Sequence, residues 1–346
     1  MGWTRRALWV AAAVVGTPLL YSYCQSVPPR PEVAALLATI ERQRLVASVH
    51  DLAAPGPRPE SDRRRTAATL DWLEAQLREF GLVPTRETYQ GPTRVLQRPP
   101  DSQQWVMTEQ QGLPHCNLIA ERHGSSEAAT VLEVGAHYDS MPWAPGADDN
   151  GSGVAALLEV GRLLAKVTPR RSVRLLFFAQ EEEGLLGSRA HVKLLRERGE
   201  RITGMIALDM LGFTAHAAGS QRTPLRVPLL FSPPDRGEFL VDAGNFASGW
   251  LGNLYEACAD AYVPAARYYS VNRLAGWFAD AMRSDHAPYW EAGIPGLLLT
   301  DTAEMRNPNY HQQTDTPDTV DFEFLLANTR ALAATVLHWA GVGESR

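Results

Sequence analysis

Four apolar runs constrain this chain more than any other feature: TVLEVGAHYD (130–139), SVRLLFFAQ (172–180), ITGMIALDM (202–210) and GIPGLLLTD (293–301). Together with NLIAER (117–122) they read as strands, and each ends where a chemically loaded side chain appears. Between them lie segments of helical spacing at 151–166 and 187–198, and a long helix is expected over 319–340. Alternation of this kind predicts an α/β fold: a mixed, mostly parallel central sheet with helices on both faces. In such sheets functional groups collect beyond the carboxyl ends of the strands, where His137, Glu181 and Asp209 fall.

The chain before these runs divides in two. Arg5-Arg6 precedes an unbroken apolar stretch, ALWVAAAVVGTPLLYSY (7–23), and then a proline-rich stalk to Pro31. A basic start followed by such a run is an export signal or a membrane anchor rather than part of the fold. Residues 1–31 are therefore expected to be a signal anchor or signal peptide with its stalk. The folded part, 32–346, is expected on the periplasmic side of a membrane or secreted. Residues 32–53 place Val33, Leu36, Leu37, Ile40, Leu45, Val46 and Val49 at helical spacing. A second helix, capped by Ser61 or Asp62, carries Leu70, Leu73, Leu77 and Phe80 and stops at Gly81. Residues 84–115 read as extended or loop structure, and 213–283 as an insertion or lid rich in Gly, Pro and aromatics.

A net charge of −6 argues against a nucleic-acid partner, which would need a basic face. Cys24, Cys116 and Cys258 lie far apart, so a Cys116–Cys258 disulfide and free buried thiols both remain open. The patterning sets no oligomeric state.

Five positions at strand ends or in the following loops carry metal-binding chemistry: His137, Asp149, the Glu181-Glu182 pair, Asp209 and His311. Histidine and carboxylate ligands suit zinc or its first-row neighbours. Two imidazoles and three carboxylates build two nearly equivalent sites if one carboxylate is shared. Two dications balance three carboxylates with charge left for a hydroxide, whereas one dication leaves a net negative pocket.

The ordered motifs HxD, DDNGSG (148–153), EEEGLLGS (181–188), LDM (208–210) and YHQQTDT (310–316) resemble the M28 family of dinuclear zinc peptidases, which includes secreted bacterial aminopeptidases. The likeness covers most of the chain and extends to the paired N-terminal helices. It implies a zinc-exopeptidase (phosphorylase/hydrolase-like) architecture with two Zn2+ per chain acting on a peptide substrate. By motif, His137 and Asp209 hold one zinc, Glu182 and His311 the other, and Asp149 bridges them, leaving Asp148 out of the ligand set. A cis peptide is expected at Asp149–Asn150. Asp139 orients the His137 ring, and alignment on GLLGS makes Glu181 the general base and Glu182 the ligand, with Glu183 exposed. Tyr310 is a candidate donor to the developing oxyanion, and Asp285 and His286 lie in a segment that lines the site.

The function that follows is metal-dependent hydrolysis of N-terminal peptide bonds. The alternatives are a carboxypeptidase or dipeptidase of the same family, a glutaminyl cyclase-like transferase or a non-enzymatic scaffold. The cyclase branch uses one zinc and lacks the first histidine ligand, and scaffolds of this kind have lost ligands. His50, His115, His123, His191, His216 and His338 stand outside any motif and are read as structural or surface residues.

Overall fold

The computed structural model describes residues 26–97, 106–223, 226 and 232–344. The apolar segment 7–23, read as an anchor, lies outside the described residues. Among the described residues no helix is long and apolar enough to cross a membrane.

Eight strands form one sheet: β1 (Pro84–Gln97), β2 (Val106–Arg122), β3 (Glu127–His137), β4 (Arg171–Phe178), β5 (Gly204–Leu208), β6 (Leu240–Gly244), β7 (Tyr268–Val271) and β8 (Gly296–Thr300). Their spatial order is β1-β2-β4-β3-β5-β8-β6-β7. The central β4-β3-β5-β8 block is parallel, β6 joins β8 antiparallel, and β1 and β2 form an antiparallel hairpin on the other edge. The mixed, mostly parallel sheet expected from the apolar runs is what the chain forms. Residues 84–115 hold more regular structure than their composition suggests. They supply the edge hairpin, whose exposed outer half lacks the buried face that would make a strand visible in sequence.

Among the described residues eight α-helices accompany the sheet: α1 (Pro31–Leu37), α2 (Arg42–Ala53), α3 (Arg63–Glu79), α4 (Gly153–Leu164), α5 (Leu186–Glu197), α6 (Gly249–Tyr262), α7 (Ala287–Glu291) and α8 (Phe322–Trp339). The periodic segment 32–53 breaks between Leu37 and Arg42, giving α1 and α2. Asp62 caps α3 by accepting the Arg65 N–H at 3.0 Å. Strand β4 divides its side chains between the faces: Val173, Leu175 and Phe177 join the larger core with α2, α3, α4, α6 and α8, while Leu176 and Phe178 join the smaller core with α5. Every residue of α4 is buried, so it is the central helix of the larger face. The 213–283 stretch contributes strands β6 and β7 to the sheet and helix α6 packed on it, and other residues in it line a cavity. Cys116 and Cys258 are free thiols.

Because β3 leads through α4 to β4 on one side, and β4 leads through α5 to β5 on the other, the sheet reverses its winding between β3 and β5. A crevice opens at such a reversal beyond the strand ends. One wall of it is held by Arg58, in the loop before α3. This arginine is 1% exposed, and its guanidinium donates to the carbonyls of Tyr138 (2.8 Å), Leu52 (3.2 Å), Pro145 (2.6 Å) and Gly146 (2.9 Å). Burial, and then Arg65, lower its pKa to about 10, so it stays charged at neutral pH. Removing it strands several buried carbonyls, each costing about 1–3 kcal/mol. Arg58→Met is expected to lower unfolding free energy by at least ~3 kcal/mol in denaturant titration; a loss below ~1 kcal/mol contradicts the bracing role.

Candidate metal centre

The sequence builds the centre from four loops. His137 closes β3, the Glu181-Glu182 pair follows β4, Asp209 follows β5, and His311 sits in the long loop after β8. Three residues in or beside these positions adopt left-handed backbone: Gln180 (φ 54), Met210 (φ 59) and His311 (φ 55). Side chains rarely take this conformation without support, and such residues gather at functional sites. His311 is anchored by its carbonyl, which accepts the Trp143 indole N–H at 2.9 Å.

Asp149 stands in the turn that opens α4, and the Asp149–Asn150 peptide is cis, as expected. The turn is fastened from three directions. Asn150 donates to Leu208 O (2.7 Å) and accepts from Met210 N (3.3 Å) and Gly153 N (3.1 Å), so one amide clamps both neighbours of Asp209 to the start of the helix. The Ser152 hydroxyl accepts Leu211 N–H at 2.9 Å. Asp315 accepts the backbone N–H groups of Asp148 (2.9 Å) and Asp149 (3.1 Å). At Gly146 (φ +67) a Cβ would stand 2.4 Å from Asp149 O, so only glycine fits that entry.

The five expected ligands converge. His137 Nε2 lies 3.4 Å from Asp149 Oδ1 and 3.6 Å from Asp209 Oδ1. His311 Nε2 lies 3.2 Å from Asp149 Oδ2 and 2.9 Å from Glu182 Oε2. The two oxygens of Asp149 thus face one imidazole each. Glu181 Oε2 stands further off, 4.0 Å from His137 Nε2. Two compact donor groups result, His137 with Glu181 and Asp209, and Asp149 with Glu182 and His311.

The geometry fits a metal rather than a hydrogen-bond cluster. His137 Nε2, Asp149 Oδ2 and Glu182 Oε1 are buried and lack any hydrogen-bond partner, although other donors and acceptors stand within ordinary reach. On the far side of the His137 ring, Nδ1 is 3.3 Å from the carbonyl of Asp139 and 3.5 Å from its carboxylate. A hydrogen on Nδ1 leaves the Nε2 lone pair aimed at carboxylate oxygens, an arrangement that a cation among them resolves.

The electrostatics point the same way. Asp139, Asp149, Glu181, Glu182, Asp209 and Asp285 surround two imidazoles. Burial raises Glu181 well above the usual carboxylate range; His137 offsets this in part, and Asp209, Glu182 and Asp285 add to it. Burial and the Asp149 charge push Glu182 up to about 7. Burial alone would depress both histidines. The carboxylates outweigh it, led by Glu181 at His137 and by Asp149 at His311, which rises to about 10.

The neighbours of these five residues make further contacts, and one of them, Glu183, departs from its expected exposure. The Asp139 carboxylate accepts the backbone N–H groups of Glu181 (3.2 Å) and Glu182 (3.3 Å), so it also sets the acidic pair. Asp148 turns away from the ligands to Gly212 N and Asn307 Nδ2, each at 2.9 Å. Glu183, expected to be exposed, is half-buried and accepts from Gln180 Nε2 and Arg94 N. Asp285 and His286 are buried, and both feel the Asp209 charge. Tyr310 stacks on the His311 ring with centroids 3.8 Å apart, and its hydroxyl accepts from Arg283 Nη2 at 3.0 Å. His115 and His191 are structural: His115 is buried against Glu60 and Thr93, and His191 against Glu87 and Glu133. The roles of Arg58, Asn150, Asp315 and Arg283 emerge only with the structure, although Asn150 lies within DDNGSG and Asp315 within YHQQTDT.

A cavity of about 570 Å³ opens from the centre. Asp149, Glu181, Glu182, Asp209 and His311 line its inner end, and Phe239, Val241, Ala243, Tyr269, Val271 and Leu298 make an apolar wall.

The model of peptidase family M28 matches residues 117–336. The chain is 35% identical to the uncharacterized protein YfbL of Escherichia coli over 232 residues, which is 61% of this chain and 67% of that protein. It is 33% identical to the probable lipoprotein aminopeptidase LpqL of Mycobacterium tuberculosis over 64% of this chain, and spans 44% of LpqL. In structure it resembles BSAP, a zinc aminopeptidase from Bacillus subtilis, with a TM-score of 0.66 and 18% identity over 86% of this chain and 95% of that one. Glutaminyl cyclases also share the fold.

Ligand atoms bind a metal only when deprotonated. Burial and Asp149 push Glu182 up to about 7, and Asp149 and Glu182 outweigh burial to push His311 up to about 10, so a metal held by these two side chains would displace protons. Metal affinity is therefore expected to rise with pH through neutrality and above. Calorimetry in buffers of differing ionisation enthalpy should register net proton release on binding; proton uptake, or affinity rising as pH falls, contradicts this centre.

Proposed function

The chain belongs to peptidase family M28, and from that premise we propose that it is a metal-dependent exopeptidase that removes residues from the N-terminus of peptides. Zinc would be held by His137 and Asp209 on one side of the Asp149 carboxylate and by Glu182 and His311 on the other, a donor set with room for two ions. The observation that carries this reading is the Asp149 carboxylate itself, with Oδ1 3.4 Å from one imidazole nitrogen and Oδ2 3.2 Å from the other. Zinc bound to such ligands acidifies water and polarises a carbonyl.

The protein's own side chains supply the rest. Glu181 is the general base: its carboxylate, buried and also crowded by Asp209, Glu182 and Asp285, is more basic than a free glutamate. It takes a proton from the attacking water and returns it to the leaving amine. Asp139, bonded to both backbone N–H groups of the acidic pair, keeps Glu181 and Glu182 diverging into base and ligand. Arg283 donates to the Tyr310 oxygen, which frees the phenolic hydrogen to turn toward a developing oxyanion. A free α-amine suits the carboxylate-rich inner end of the cavity, and the apolar wall suits the side chain of the first residue.

His137, the position at which the cyclase branch lacks its histidine, stands 3.4 Å from Asp149 and supports this reading over a single-zinc cyclase. The resemblance to a lipoprotein aminopeptidase and the basic-apolar start of the chain support a folded part that works after export.

Glu181→Gln keeps the size of the base and removes its proton affinity. Metal content is expected to match the wild type while turnover falls about 10²–10⁴-fold; retained turnover contradicts the assignment. Wild-type enzyme should trim free peptides and leave N-acetylated ones intact, whereas cleavage of acetylated peptides from the other end identifies a carboxypeptidase.

A further inference from the structure

On the face of the sheet opposite the cavity, β6 and β7 carry a second group of oxygen ligands. Val241, Ala243, Tyr269 and Val271 line the cavity, whereas the paired residues Asp242 and Ser270 point the other way, toward α6. There Ser270 Oγ lies 3.0 Å from Asp242 Oδ2 and 2.8 Å from Glu256 Oε1. The same oxygen accepts the Asn272 backbone N–H at 3.2 Å. One hydroxyl hydrogen therefore faces two carboxylates, and it can satisfy only one. Asn272 Nδ2 donates to Asn253 Oδ1 (3.0 Å) and, at longer range, to Glu256 Oε1 (3.4 Å).

Two buried polar groups at this place have no partner. Asp242 and Tyr255 are both 0% exposed, yet Asp242 Oδ1 and the Tyr255 hydroxyl make no hydrogen bond. Tyr255 precedes Glu256 on α6, and its ring meets that of Tyr268 on β7 edge-on, with centroids 6.1 Å apart. A buried carboxylate oxygen without a donor is rare in native proteins and calls for a missing partner. The chain supplies no counter-charge: among the described residues no Lys, Arg or His forms an ion pair with Asp242 or Glu256, and Arg273 instead lies against Gly249. Burial and the neighbouring Glu256 carboxylate both oppose ionisation of Asp242.

We propose that Asp242, Glu256 and Ser270 bind a hard divalent cation of the calcium class, at a site separate from the catalytic centre. The donors are all oxygen, with no imidazole or thiolate, which selects Ca2+ or Mg2+ over zinc. At a Ca–O distance of ~2.4 Å, ligand oxygens 2.8–3.0 Å apart subtend about 75° at the ion. That is close to the ~72° spacing of a pentagonal girdle, the arrangement calcium favours. Asp242 Oδ1 and the Tyr255 hydroxyl then gain the ion or its waters as partners. Exposed Ser270 and half-buried Glu256 leave an entry path from solvent. The ion ties edge strand β7 to β6 and α6, and so braces the apolar wall from behind.

The test uses the full enzyme carrying its catalytic metal, dialysed into chelating-resin-treated buffer and titrated with CaCl2 or MgCl2. Ca2+ at about 100-fold over its Kd is expected to raise the melting midpoint by about 5 °C. Tb3+ should show emission sensitised by Tyr255 and Tyr268, displaced by Ca2+. Asp242→Asn and Glu256→Gln should each abolish the shift and the emission, with zinc content unchanged; Glu256→Gln, at a half-buried position, serves if Asp242→Asn fails to fold. A wild-type midpoint indifferent to both cations, or a shift that Glu256→Gln retains, overturns the proposal. So does a wild type that ignores Ca2+ but gains stability as pH falls, since a shared proton then holds the carboxylates together.

Discussion

Everything in the centre depends on bringing carboxylates together at the bottom of a buried crevice. Like charges in a low-dielectric site repel strongly, and burial alone penalises each of them. The fold accepts this cost at one point, the reversal between β3 and β5, where His137, Asp149, Glu181, Glu182, Asp209 and His311 meet. Protons or cations must compensate. The orphaned nitrogen and oxygens of His137, Asp149 and Glu182 favour cations, because lone pairs that converge on a common point are poorly served by protons held along one line.

Holding such a group in place falls to residues that never touch the chemistry. Asn150 joins the ends of β5 to the start of α4, Asp315 grips two successive backbone N–H groups of the Asp148–Asp149 turn, and Asp139 does the same for the acidic pair. Arg58 fastens the 138–146 loop through backbone carbonyls. The ligands' own side chains are left uncommitted toward the centre. That division of labour leaves the donor atoms free to face a metal.

Much of this was legible in the sequence. Strands β3, β4, β5 and β8 are buried on both faces, so they read as continuous apolar runs, and their ends placed the loaded residues. The five candidate ligands came from the motifs that resemble family M28, and the structure brings all five together. What sequence concealed has physical reasons. The β1–β2 hairpin is exposed along much of its length, so no alternation marks it. Strands β6 and β7 are short and lie among loops, and the polar pair Asp242 and Ser270 interrupts their apolar pattern. Arg58, Asn150 and Asp315 act on backbone groups, which carry no sequence signal at the receiving end.

If the Asp149 carboxylate serves two metal sites at once, anomalous diffraction at the zinc absorption edge will show two peaks per chain, one beside His137 and Asp209 and one beside Glu182 and His311, with an Asp149 oxygen on each. A single peak, or two peaks of which only one touches Asp149, contradicts that sharing.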